Sequence, residues 1–407
     1  MKTLIQILIF GLLVAGCTSE NEPNIIPEDA KPIILKASQQ IRVSQDNEFA
    51  FDLFKKTIAD SKETNVLTSP LSVSIALGMA WNGATDETKT GMETALKMSG
   101  LSVDDINEYY KVMQTTLPGI DPTTTLNIAN SVWYRTGYPV KQEFFDVNIN
   151  YFNAEVRELD FSQAWAVDTI NNWCARKTNK HITDILDEIP GDAVMYLINA
   201  VYFKGIWRKQ FDKKLTKEKP FTNETNNQAN VNMMYQKDTF NYTSDAYAQY
   251  LDMPYGNKAF SMTVILPNQG KKIDDVLQHL TVENWNANLN NLLSQEVEVY
   301  FPRFKSKNKF LLNDVLKSMG MQRAFEDHNE FKNINEGSLF ISRVLHDTSI
   351  EVTEEGTEAA AVTVVELREK ASFNPIVNVN RPFLFVIREQ STGVILFIGK
   401  MGNVEKY

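Results

Sequence analysis

Side chains able to do covalent, metal or acid–base chemistry are few and scattered in this chain of 407 residues. It has four histidines, His181, His279, His328 and His346, and two cysteines, Cys17 and Cys174. There is no Cys-x-x-Cys, no His-Glu-x-x-His and no Gly-x-Ser-x-Gly, so neither a zinc-ligand pair nor a nucleophile elbow can be assigned. Gly393-Val-Ile-Leu-Phe-Ile-Gly399-Lys400 has the outline of a phosphate loop. Its spacing is one residue too long and its middle is wholly apolar, so it is read as a buried strand. His346 stands between Leu345 and Asp347, just before the strand-like Thr348–Thr353, and is read as a hydrogen-bonded core histidine. No catalytic residue, metal ligand or cofactor motif is assigned.

The one thiol with a clear chemical use is Cys17. Met1–Lys2 is a short basic start, Leu4 to Val14 is mostly apolar, and Val14-Ala15-Gly16 leads into the cysteine. That apolar run is shorter than the roughly 20 residues a membrane span needs, and it has the form of a secretory signal. Small residues before a cysteine resemble a bacterial lipobox, in which the thiol is acylated and the chain is cut just before it. Residues 1–16 are then a signal peptide, and Cys17 is the lipidation site on a bacterial cell envelope. A triacylated cysteine carries enough chains for stable anchoring, and the lipid is the only membrane contact expected. Residues 17–38 form the lipidated start and an acidic, proline-bearing tether, followed by one domain over 39–407. Cys174 is left as an unpaired core thiol.

The elements that must position any function belong to an ordinary globular chain. It is 43% hydrophobic and 23% charged, with 18 Gly and 14 Pro, which excludes collagen-like and disordered classes. The formal charge of -10 argues against nucleic-acid binding, which needs a basic surface. From about Lys36 onward no linker, repeat or long charge run appears. Glu48–Ser61 and Leu71–Ala80 read as helices, the second opening with Ser69 as N-cap and Pro70 at the first helical position. Val194–Phe203, Phe260–Leu266, Val297–Phe301, Phe383–Arg388 and Val394–Lys400 read as strands, the last two joined by a hairpin at Ser391-Thr392-Gly393. Helices early and strands late predict an α+β fold with a large, mainly antiparallel sheet.

Glu354–Ala371 fits none of these elements. Its first half has helix propensity and its second half strand propensity. In a strand from Thr357, one face carries Thr357, Ala359, Ala361, Thr363, Val365 and Leu367, all small or apolar. The other carries Glu358, Ala360, Val362, Val364, Glu366 and Arg368. Gly356 and the charged Glu354-Glu355 offer a hinge. The segment is a long loop able to become a strand.

From about residue 40 to the C-terminus the chain resembles the serpin family. The resemblance starts with Asn65-x-x-x-Ser69-Pro70-x-Ser72, Ala76-Leu77-x-Met79, Gly83-Ala84-x-x-x-Thr88, Leu126-x-x-Ala129-Asn130 with Trp133, and Ile170-Asn171-x-Trp173. The most specific block is Asn199-Ala200-Val201-Tyr202-Phe203-Lys204-Gly205-x-Trp207, with Phe211 in step. Pro254-Tyr255, Ser261-Met262, Pro302-Arg303-Phe304 and Met319-Gly320 follow in order. Glu355-Gly356-Thr357-Glu358-Ala359-Ala360-Ala361, Asn380-Arg381-Pro382-Phe383 and Gly393 to Gly399 complete the set.

The resemblance implies a serpin fold, with helices on a large central sheet, smaller sheets and an exposed reactive loop. It implies a monomeric suicide inhibitor and not an enzyme: a protease cleaves the loop, is acylated, and is trapped as the loop inserts into the main sheet. Partners are serine proteases, with cysteine proteases as a further class; a non-inhibitory serpin-fold surface protein is the alternative. The hinge maps to Glu355, Gly356, Thr357, Glu358, Ala359, Ala360 and Ala361. Counting from Gly356 places the cut at Lys370-Ala371, which suits a trypsin-like enzyme with an acidic specificity pocket. Arg368 is the basic alternative, and Val364, Val365 or Phe373 would serve other specificities. Ser69, Ser72, Asn199 and His346 map to the polar shutter beneath the sheet, and Trp207 to the breach where the loop first enters. The lysine-rich run from Lys204 to Lys219 is taken as a solvated face.

Overall fold

The computed structural model describes residues 28–357 and 374–407. In chain order its α-helices are α1 (Ala37–Asp60), α2 (Pro70–Trp81), α3 (Asp86–Ala95), α4 (Val103–Thr116), α5 (Gln142–Phe152), α6 (Ala166–Lys177), α7 (Ile273–His279), α8 (Val282–Asn290) and α9 (Asn313–Leu316). The strands are β1 (Asn65–Thr68), β2 (Thr124–Arg135), β3 (Ala154–Leu159), β4 (Met195–Ile206), β5 (Lys217–Thr222), β6 (Gln228–Ser244), β7 (Ala248–Pro254) and β8 (Phe260–Pro267), then β9 (Leu293–Pro302), β10 (Phe304–Leu311), β11 (Leu345–Val352), β12 (Gly356–Thr357), β13 (Ile376–Asn378), β14 (Phe383–Glu389) and β15 (Ile395–Met401). Every strand expected from composition is present, and the expected helices are parts of α1 and α2.

The largest sheet runs β1-β15-β14-β8-β7-β6-β9-β13, with β5 added on β6. All of its pairs are antiparallel except β13 on β9. β14 and β15 are buried along their whole length, which explains runs that do not alternate. The phosphate-loop look-alike is this buried β15. Gly393 takes φ 78° in the β14–β15 turn, and Glu389 holds that turn through the Ser391 and Thr392 amides at 2.9 and 2.7 Å. Glycine is needed there because an L side chain rarely adopts that φ.

The sheet expected at the centre is divided in two. One part has four strands, β12-β4-β2-β3, and the other is the β10-β11 pair. Among the described residues no strand pairing joins β4 to β11. The buried helix α2 lies beneath this division and packs on β4 and β15. α6 lies on the other face and packs on β4 and β2, burying Ile170, Trp173 and Cys174 in a cluster with Trp133, Ile198 and Ala200. Residues 28–36 also lie on the body: Asp29 pairs with Arg208 and Lys258, each at 2.8 Å, and the Ala30 amide donates to the Asn257 carbonyl. The end of the expected tether is therefore docked rather than free.

Candidate functional site

The division between β4 and β11 is a slot, and its upper end is already occupied. β12 pairs antiparallel with β4, Gly356 opposite Ile206 and Thr357 opposite Gly205. The turn from β11 into β12 is closed by reciprocal backbone bonds between Thr353 and Gly356, 2.8 and 3.2 Å long. Gly356 sits at φ 144°, and a Cβ there would lie 2.1 Å from the Gly205 carbonyl oxygen. No other residue allows that approach.

Trp207 organises this end. Its indole N–H donates to the Thr353 carbonyl at 3.0 Å, and its backbone N–H donates to the Glu355 carbonyl at 2.8 Å. Its ring stacks on Tyr255 at 4.5 Å, and the Tyr255 hydroxyl is 3.0 Å from Thr357 Oγ1. Burial lifts the Tyr255 hydroxyl far above the usual phenol range, so it stays protonated and can donate. Thr357 is 3% exposed. The first small residue of the loop is thus already inside.

The pair Glu354-Glu355, read as charged hinge residues, is buried. Arg303 donates to Glu354 from Nε at 2.8 Å and Nη2 at 2.6 Å, and Thr216 also donates to it. Lys213 pairs with Glu355. The lysine-rich run is largely a solvated face, as read, with Lys209, Lys213, Lys214 and Lys217 exposed, but Lys213 also reaches the buried Glu355 and Lys219 lies 3.6 Å over the Tyr300 ring. Sequence reasoning missed these contacts because their partners lie about 50 to 140 residues away, where spacing carries no signal.

Halfway down, Asn199 and His346 form the opposite walls of the slot, and α2 contacts both. The Ser69 amide donates to His346 Nε2 at 2.9 Å. His346 is 4% exposed, and burial lowers it to about 4, so it is neutral and accepts through Nε2. Ser72 donates to Asn199 Oδ1, and Asn199 donates to Asn130 Oδ1 at 2.6 Å. The four residues expected as one cluster form two hydrogen-bonded sets, and among the described residues no hydrogen bond joins Asn199 to His346. Asn130 extends the second set to Gln114 and the Phe152 carbonyl. Ser69 does stand at the N-cap of α2, but its hydroxyl donates to the Leu396 carbonyl at 2.8 Å and caps nothing. A buried hydroxyl takes the best acceptor it can reach, and here that is β15.

Below this level the slot opens into a cavity of about 310 Å3. Leu77 from α2, Leu197 from β4, Ile185 and Leu186 from the segment after α6, and Leu345 from β11 line it. Asp347 also lines it, 7% exposed, with neither carboxylate oxygen hydrogen-bonded. Burial raises Asp347 to about 6. Cys174 is the core thiol expected, pushed up to about 12 chiefly by burial, with Asp347 adding to it. Cys17, Glu358, Ala359, Ala360, Ala361, Arg368, Lys370 and Ala371 lie outside the described residues.

Among the described residues the slot thus has a strand begun at its top and none paired below it. Comparison with known proteins identifies the family. The family described as Serpin (serine protease inhibitor) matches residues 44–404. Human neuroserpin is 33% identical over 374 residues, covering 88% of this chain and 90% of its own. An uncharacterized serpin-like protein of Thermococcus kodakarensis is 31% identical and covers 99% of both chains. Among solved structures, the thermophilic serpin tengpin in its native state superposes with a TM-score of 0.84 at 33% identity, covering 92% of this chain and 97% of tengpin. Tengpin in its latent state gives 0.79 at 30% identity, covering 92% of this chain and all of that one. The fold and the family are therefore those the motifs implied: this chain belongs to the serpin family.

Proposed function

We propose that this chain is an inhibitory serpin that traps trypsin-like serine proteases. The observation that carries this reading is the slot: Gly356 and Thr357 already pair with β4, and the space below them is open. The β12–β4 register, if extended, sets Thr363 opposite Asn199, Val365 opposite Leu197 and Leu367 opposite Met195. Those are the small and apolar loop positions, which insertion would turn toward the core. Cleavage at Lys370-Ala371 would free them to insert while the acyl-enzyme still exists, carrying the protease along. The protease supplies the nucleophile, so this chain needs none. Lipidation of Cys17, with the 1–16 signal removed, would hold the inhibitor on the bacterial envelope as a monomer.

The test is a gel assay of the full chain against trypsin. A band stable in SDS, at the combined mass of both proteins, is expected, together with a released peptide that begins at Ala371 by mass spectrometry. A peptide beginning at Glu369 would move the cut to Arg368. Cleavage with no stable band would leave the non-inhibitory reading.

A further inference from the structure

We propose that the lower half of the slot binds a small amphipathic amine, its ammonium group on Asp347 and its apolar body between β4 and β11. The cavity of about 310 Å3 falls at the lower end of the range for small-molecule sites, which are apolar with a few placed polar groups. Leu77, Leu197, Leu345, Ile185 and Phe340 supply the apolar wall. Asp347 supplies one acceptor whose two oxygens are buried and without a partner.

A buried carboxylate in that state costs several kcal/mol until something pairs with it. The nearby cations are engaged elsewhere. Lys307 pairs with Asp184 at 3.2 Å, Lys309 with Asp187 at 2.9 Å, and Arg343 with Glu188 at 3.1 Å. His346 faces the other way, neutral, with Ser69. Cys174 stays a thiol and offers no positive charge. Asp347 is ionised above pH 6, so an ammonium with its three donors complements it at neutral pH.

The chain's own loop offers no such cation there. The Thr353–Gly356 turn, extended as a hairpin, sets Val362 beside Asp347. A bound amine and an inserted loop therefore compete for one space, and the amine would turn an inhibitor into a substrate. That consequence rests on the inhibitory reading; the binding itself does not.

Isothermal titration of the full chain at pH 8 with 4-phenylbutylamine tests the site, with 4-phenylbutanol and 4-phenylbutyrate as neutral and anionic counterparts. One saturable amine site per chain is expected, with the alcohol and the acid about tenfold or more weaker. Asp347→Asn is expected to lose about tenfold in amine affinity, and protein with a cleaved, inserted loop to bind none. No saturable binding of the amine, equal binding of the alcohol, or equal binding to Asp347→Asn would overturn the proposal. The alcohol comparison decides the matter even if Asp347→Asn does not fold. A trypsin gel on the same preparation separates the two readings: a stable complex without amine binding removes only the site, and amine binding without a complex removes only the inhibitor.

Discussion

At the scale of single residues, Thr357 has the most demanding position. It is 3% exposed and in contact with a tyrosine that is itself stacked on Trp207. Thr357→Arg would put an unpaired charge into that packing, at a cost of several kcal/mol. Cleaved chain in place of the SDS-stable trypsin complex is expected, with a lowered melting temperature before cleavage. Complex at wild-type yield would show that the hinge need not be buried. His346 and Asp347 make a second test because they titrate in opposite senses. His346 is held near 4, below its unfolded value, so its contribution is full above pH 6.5 and is lost as pH falls. That loss amounts to about 2 kcal/mol between pH 8 and 5. Asp347 is held near 6, above its unfolded value, so its charge is a burden at pH 8 that lifts as pH falls through 6. The groups facing it are Lys307 and Lys309 from β10, Asp184 after α6, and Cys174 from α6. Asp347→Asn should raise the melting temperature at pH 8 and leave a steeper loss toward pH 5. A parallel profile in wild type and variant would refute that balance. Sequence motifs singled out Thr357, His346 and Trp207 because each sits in a local signature, and all three are buried at the slot. Asp347 carries no such mark, since what distinguishes it is the company brought by distant strands, and the Pro254-Tyr255 motif gave no sign of the Tyr255 contact with Thr357.

At the scale of elements, the segment between α6 and β4 ties the two walls of the slot together. Its end runs into β4, while Asp184 and Asp187 reach Lys307 and Lys309 on β10, and Glu188 reaches Arg343 just before β11. Ile185 and Leu186 of the same segment line the cavity beneath. A strand inserting between β4 and β11 has to strain this tie. Each pair is solvent-exposed and worth about 0–1 kcal/mol, so together they act on a rate more than on the fold. Complex formation with trypsin should therefore speed up as salt rises from low to high ionic strength. The Asp184→Asn, Asp187→Asn, Glu188→Gln triple variant should be faster at low salt and nearly flat with salt. Equal salt dependence in both proteins would assign the effect to protease docking instead. Strands were legible in the sequence because β-branched and aromatic runs mark them, as in β14 and β15. The tie was not, since Asp184, Asp187 and Glu188 form no motif and their partners lie more than 100 residues away.

At the scale of the whole molecule, the striking-out of one strand position is what the α+β outline could not convey. Propensity and period identify strands one at a time, but whether two neighbours pair depends on what lies between them. The ordered serpin motifs supplied the missing idea of a sheet that accepts another strand, and the slot gives it dimensions. Among the described residues the fold holds an open cavity, a buried carboxylate without a hydrogen-bond partner and no strand pairing between β4 and β11. On the inhibitory reading, insertion of the loop would fill the cavity and pair with both strands, and each buried Val or Leu would add about 1.5–3 kcal/mol. The Asp347 charge works against it, because Val362 offers no partner. Val365 and Leu367 with the small residues above them still outweigh that cost, so the loop-cleaved chain should melt on the order of 10 °C or more above the intact chain. Asp347→Asn should widen this gap by relieving the inserted form, in which Val362 would fill the space beside the carboxylate, more than the native one. Differential scanning calorimetry of intact and cleaved wild type and variant measures all four melting points. A cleaved chain that melts with the intact one would mean that the strand never enters the slot.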